Sequence, residues 1–189
     1  MDFRRGAIEM TMSPGLRTFA LAAHLTFSVG WVGAVGAYLA LDATVATSQD
    51  TQTLRAAYIG MALIVVNVIV PLAFASLLTG LIMSLGTKWG LFRHYWVLIS
   101  LVLTVVASAV LLVETRVVRS LADMAADPAT SSEHLRAMPS TLPHSVGGIV
   151  VLLVILVLNV SKPRGMTRYG WRKQQAERTQ RGQPAALVP

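Results

Sequence analysis

From Pro71 to Glu114 the chain reads PLAFASLLTGLIMSLGTKWGLFRHYWVLISLVLTVVASAVLLVE, two long apolar runs about a polar centre, Gly86-Thr87-Lys88-Trp89-Gly90. A helix crossing a hydrocarbon core needs roughly 20 predominantly apolar residues, and each run supplies about that many. The second run opens on Phe92-Arg93-His94-Tyr95-Trp96, an aromatic and basic cluster of the kind found where a helix meets the membrane surface. The stretch therefore reads as two membrane spans joined by a short turn, and the rest of the chain has to accommodate that hairpin.

Composition agrees with it. Over 189 residues, 54% are hydrophobic and 13% charged, and the mean hydropathy is +0.60, which excludes an ordinary soluble domain. The absence of cysteine removes disulfides, iron–sulfur clusters, thiolate or covalent haem attachment and thiol catalysis. The expected fold is all-α: a polytopic membrane protein built as a four-transmembrane-helix bundle, with spans near 16–41, 57–85, 91–114 and 142–161. A leader over 1–14 precedes it and a basic tail over 162–189 follows.

Residues Asp42 to Arg55 read as a polar connection, and Pro71 as a kink within the second span. The loop from 115 to 143 contains Thr130-Ser131-Ser132-Glu133, a capping box for a short surface helix ending before Pro139. Lys162-Pro163 ends the last span, and the tail beyond it reads as a disordered or weakly helical arm. The first run is longer than the ~7–15-residue apolar region of a signal peptide and is expected to stay in the protein.

Four spans put leader, central turn and tail on one side. That side carries twelve basic residues, among them Arg4, Arg5, Arg17, Lys88, Arg93, Arg164 and Arg181, whereas the opposite loops hold only Arg55, Arg116, Arg119 and Arg136. The positive-inside rule makes both termini cytoplasmic. A net charge of +7 is then explained by topology and by attraction of the tail to anionic lipid head groups, with no nucleic acid required.

Ionisable residues within spans are costly, so each is a functional candidate. His24 lies about two turns into the first span and shares its face with Ser28, Trp31, Val35 and Asp42. A structural reading has it bonded to a Ser, Thr or carbonyl of a neighbouring helix. A chemical reading pairs it with His94 as the two ligands of a b-type haem. At 1.5 Å per residue His24 should sit roughly 12 Å inside the cytoplasmic edge and His94 only a few ångströms inside, an offset that tilt must absorb. Gly30, Gly33, Gly36 and Ala37 form a small-residue packing surface suited to a neighbouring helix or a homodimer. Asn67 lies one turn before Pro71, where it can serve carbonyls released by the proline. Ser100, Thr104 and Ser108 make a polar stripe on the third span, with Glu114 near its outer end. No catalytic triad, paired carboxylates, phosphate loop or zinc-protease helix is present.

Pro71, Leu78-Thr79-Gly80, Gly86-Thr87, Trp89-Gly90-Leu91 and Tyr95-Trp96-Val97 resemble an uncharacterised family of four-span bacterial integral membrane proteins of actinobacterial type. The likeness covers residues 60–115 and implies the four-span fold and a bacterial inner-membrane location; it carries no activity over. His24 followed by Trp31 and glycine is also faintly similar to copper-resistance-type and b-haem small membrane bundles. For copper the ligands fail, since Cys is absent and the Met residues do not cluster. The function expected is a non-enzymatic structural, accessory or small-ligand-binding component. The alternatives are a haem or redox protein and a small transporter or proton-coupled component.

Overall fold

The computed structural model describes residues 12–86, 90–163 and 165–180. Arg4, Arg5, Thr87, Lys88, Trp89, Arg164 and Arg181 lie outside the described residues. The described chain is helical throughout, with one isolated bridge between His94 and Met166 in place of any sheet. Its helices are α1 (Pro14–Thr47), α2 (Thr51–Ile64), a π-helical turn (Val65–Ile69), α3 (Val70–Gly86), α4 (Tyr95–Ala126), α5 (Ser132–Ala137), α6 (Leu142–Ser161) and α7 (Arg168–Gln180). Four rods, namely α1, the continuous α2–π–α3, α4 and α6, are long and apolar enough to cross a membrane.

Two helices exceed the expected spans. α1 runs on to Thr47, leaving only 48–50 of the expected 42–55 connection. Its polar residues there do not stop it, because Thr44 and Thr47 return their hydroxyls to the carbonyls of Ala40 and Ala43. α4 begins at Tyr95 rather than Leu91 and continues past Glu114, Arg116 and Arg119 to Ala126. Charged residues of good helix propensity mark a change of surroundings without ending the helix. Its inward positions Thr115, Val118, Leu121, Ala122 and Ala125 stay buried at three- and four-residue spacing.

Pro71 does not break the second rod. It follows a π turn in which Val70 N–H reaches back to Val65 O, a wider ring that relieves the crowding a proline imposes on the preceding turn. Asn67 Nδ2 bonds Leu63 O at 3.0 Å, serving a carbonyl next to the altered ladder, from a side chain on the exposed face.

α1 packs against α2, α3 and α6, and α4 against α2, α3 and α6, so α1 and α4 stand across a diagonal of the bundle. The core lies toward one end: Trp31, Tyr38 and Val45 on α1 meet Tyr58, Met61, Val65 and Ile69, with Val118, Leu121 and Leu135 behind them. That end is tied by side chains to backbone. The Arg55 guanidinium donates to the carbonyls of Ala125 (2.5 Å), Asp127 (2.8 Å) and Thr130 (2.6 Å), closing the C-terminus of α4. Arg136 Nε reaches Gln49 O at 3.1 Å. α5 is capped by Ser131, one residue after the expected Thr130, through its hydroxyl and His134 N–H.

At the other end Met12 N–H meets Gly86 O (3.3 Å), and the 90–95 turn meets the segment 165–167. The start of the described chain, the hairpin turn and the tail thus converge. α6 ends at Ser161, with Lys162 in a left-handed conformation (φ 43°) before Pro163, as the Lys-Pro pair predicts. The tail then forms α7 and docks, more order than its composition suggests.

Candidate functional site

Asp42 is wholly buried on the inward face of α1. Its Oδ1 accepts from Ser140 Oγ (2.9 Å) and Thr141 N (3.1 Å), and its Oδ2 from Thr141 Oγ1 (2.9 Å) and Ser145 Oγ (2.8 Å). One turn earlier, the Tyr38 hydroxyl meets Thr141 Oγ1 at 2.6 Å. Because Thr141 gives its only proton to Asp42, Tyr38 is the donor to Thr141. Thr141 is the N-cap residue of α6 and makes no cap bond to its own helix. Asp42 takes that place from a different helix, setting a carboxylate at the positive end of α6. Four donors fill both carboxylate oxygens, so this group is a clasp rather than an open site. Helical periodicity puts Asp42 on the His24 face, whereas its polar surroundings predict a connection rather than helix; Ser140, Thr141 and Ser145 just before an apolar run are the sequence signal for its partners.

Beside the clasp lies a cavity of about 370 Å³, bounded by all four rods. Trp31, Tyr38, Val65, Ile69 and Leu152 are buried and form its floor. Its exposed lining, Val106 (53%) and Val110 (48%) on α4 with His144 and Gly147 on α6, places the opening between α4 and α6. Gly147 and Gly148 help hold that opening: a Cβ at either would meet nothing within 4 Å. On α4 the lining runs from Leu103 to Val118, roughly 22 Å of helix, so the space is a slot.

Glu114 and His144 stand near one end of the slot, with Val118 one turn beyond Glu114 on α4, His144 Nε2 to Glu114 Oε1 at 3.5 Å. Glu114 is therefore in mid-helix and faces α6, not at the terminus of its rod. The other polar groups at this end, the hydroxyls of Tyr38, Thr141 and Ser145, are committed to the clasp.

The remaining candidates fall elsewhere. His24 faces α3, its Nδ1 3.1 Å from Thr79 Oγ1. Thr79 already donates to Ala75 O (2.7 Å), which leaves its oxygen lone pairs to accept from the imidazole. Close passage of this ring is set by Gly80, where a Cβ would stand 3.1 Å from His24 Cε1. Ser28 bonds Ser76 at 2.8 Å on the same interface. Thr79 lies seven positions before Gly86, so this layer is roughly 10 Å below the end of α3. His94, by contrast, is the N-cap residue of α4, with its ring 6.4 Å from that of Trp96 and its backbone bridged to Met166.

Gly30 packs on Leu72, whereas Gly33 and Gly36 have open space where a Cβ would be, and Gly33 and Ala37 are exposed. On α4 the polar stripe is returned to its own helix, Thr104 to Ser100 O (2.7 Å) and Ser108 to Thr104 O (2.8 Å). Ser100 Oγ is buried without a hydrogen-bond partner.

The aromatic and basic cluster has a tertiary role. Arg93 Nη2 pairs with Glu177 Oε2 at 3.0 Å, and Thr167 N–H donates to Arg93 O at 3.0 Å. Gly170 lets α7 approach: a Cβ there would lie 2.4 Å from Arg93 O. Comparison with protein-family models, curated proteins and solved structures finds no match to this chain.

Proposed function

We propose that this protein is a non-enzymatic accessory component of a bacterial inner membrane, with both termini cytoplasmic, that takes a small lipid-soluble ligand into the cavity between its four long helices. Membrane insertion is supported by the outer faces. The most apolar window of α6 is only 11% buried within the protein, and Val150, Leu153, Val154, Val157 and Val160 are exposed on it. Contiguous apolar surface of that extent is solvated by acyl chains at no cost and by water at a large one. The cytoplasmic assignment of the termini rests on the positive-inside count and on the convergence of chain start, turn and tail. Exposed Arg168, Arg172 and Lys173 on α7 suit it to anionic head groups.

The observation that carries the binding role is the cavity. Its volume lies within the ~300–1,000 Å³ of ligand pockets, its walls are apolar, and it opens sideways, where a ligand dissolved in lipid would enter. The test is quenching of Trp31 fluorescence by 1-bromododecane in detergent-solubilised protein, scored as the part that disappears in Trp31→Phe. Saturable quenching, reduced several-fold by the cavity-filling Gly148→Leu, is expected. Quenching that is linear with probe, or that Gly148→Leu leaves unchanged, removes the proposal. Self-association across exposed Gly33 and Ala37 would suit an accessory role; crosslinked dimer in membranes should then fall in Gly33→Leu.

A second reading, b-type haem on His24 and His94, is favoured by the contact of His24 Nδ1 with Thr79 Oγ1 at 3.1 Å, since an imidazole held through one nitrogen is oriented to ligate through the other. A Soret band after haem supply that His24→Ala abolishes would support it; a colourless protein would reject it.

A further inference from the structure

We infer that Glu114 and His144 are the head-group subsite of the cavity, and that the ligand is a lipid-soluble molecule with a neutral head that both donates and accepts a hydrogen bond, as a long-chain phenol does. The inference rests on the cavity being a ligand site, and adds what that site reads.

The polar end of the slot offers five candidate groups, and the hydrogen bonds remove three. Tyr38 donates to Thr141, Thr141 to Asp42, and Ser145 to Asp42, so these hydroxyls have spent their protons within the clasp. Glu114 and His144 have not. Their separation of 3.5 Å, Nε2 to Oε1, is long for a hydrogen bond between them. Glu114, with its side chain 22% exposed, keeps acceptor capacity beside an apolar wall, and His144, 60% exposed, can turn its ring toward or away from the opening. An acceptor and an imidazole side by side match a hydroxyl, whose proton goes to Glu114 and whose lone pairs face His144.

Charge and shape narrow the class. A carboxylate at the mouth opposes a phosphate or carboxylate head. A quaternary ammonium head is held by aromatic faces, and the two aromatic residues of the lining, Trp31 and Tyr38, lie in the floor and are buried at 4% and 7% exposure. Below the head, the slot continues along α4 to Leu103 with walls that are aliphatic apart from Trp31, which suits one unbranched or isoprenoid tail.

The test compares 4-decylphenol with decylbenzene, which lacks only the hydroxyl, as displacers of 1-bromododecane from Trp31. In the wild-type protein the phenol should displace at about tenfold lower concentration, the factor one hydrogen bond to a charged group supplies. Glu114→Gln and, separately, His144→Ala should bring that ratio close to one while leaving decylbenzene binding intact, which also shows that the variants are folded. A wild-type ratio near one, a ratio that neither variant changes, or preference for decyl phosphate overturns the head-group assignment and leaves the cavity reading standing. If neither compound displaces the probe, or the probe does not bind, both fall.

Discussion

At the scale of single residues, Asp42 is the group whose loss should be felt most. Removing it orphans the buried Thr141 amide and withdraws three charge-assisted bonds from hydroxyls that have few other acceptors. Asp42→Ala is expected to destabilise the fold by roughly 2–4 kcal/mol, and Asp42→Asn, which keeps one acceptor oxygen, by about 1 kcal/mol. Thermal unfolding in detergent, followed by helical signal, checks the order Ala worse than Asn; equal losses would mean the clasp is not what holds α6. Asp50 gives the contrasting case of an exposed carboxylate. Bonds from the Thr53 hydroxyl (2.6 Å) and amide (2.8 Å) hold its carboxyl below the usual range. Since the folded-state value is the lower one, the cap's contribution is complete above the unfolded-state pKa and is lost as pH falls through the folded-state pKa. The difference in thermal midpoint between wild type and Asp50→Ala should therefore be largest near neutral pH and shrink in acid; a pH-independent difference would contradict it.

Among the elements, the second rod carries the most specific expectation. A π turn is equivalent to one inserted residue, and here it lies immediately before a proline. Deleting Val68, exposed at 41%, would restore an α-helical ladder with both flanking faces still in phase, but would return Pro71 to a tight turn where its ring meets the carbonyl four residues back. The deletion alone is expected to cost about 3 kcal/mol, and Pro71→Ala in the same chain to recover most of it, while Pro71→Ala in the full-length rod has a small effect. Thermal midpoints of the four proteins test this coupling, and additive effects would show that the proline and the π turn are independent.

Across the whole molecule, the tail is fastened to the hairpin turn by one ion pair and a short backbone interface. Arg93 and Glu177 are 16% and 27% exposed, so salt and substitution should both loosen the contact. Glu177→Gln should speed tryptic cleavage at Arg172 and Lys173 at low salt by several-fold, toward the rate that high salt gives the wild type, with the four long helices unaffected. Cleavage at the wild-type rate would mean that the backbone contacts of Thr167 and the close approach at Gly170 suffice. This docking also explains why Arg93-His94-Tyr95-Trp96 looks like a site in sequence: its charge has a partner 84 residues away, beyond the reach of any local pattern.

The four long apolar helices, the all-α class and the end of α6 at Lys162-Pro163 were legible in the sequence, because apolar length and proline chemistry act locally and do not depend on what the helix touches. The π turn that lets the second rod run through Pro71 was not. The face shared by His24, Ser28, Trp31 and Asp42 was legible for the same reason, since helical periodicity fixes it. What those residues meet was decided only by tertiary structure. Thr79 and Gly80 receive His24, Thr141 and Ser145 receive Asp42, and His144 stands opposite Glu114 because four separate rods pack in one order. Polar groups inside an apolar bundle must find partners wherever the packing puts them, and that pairing, unlike helix length, is a property of the assembled bundle alone.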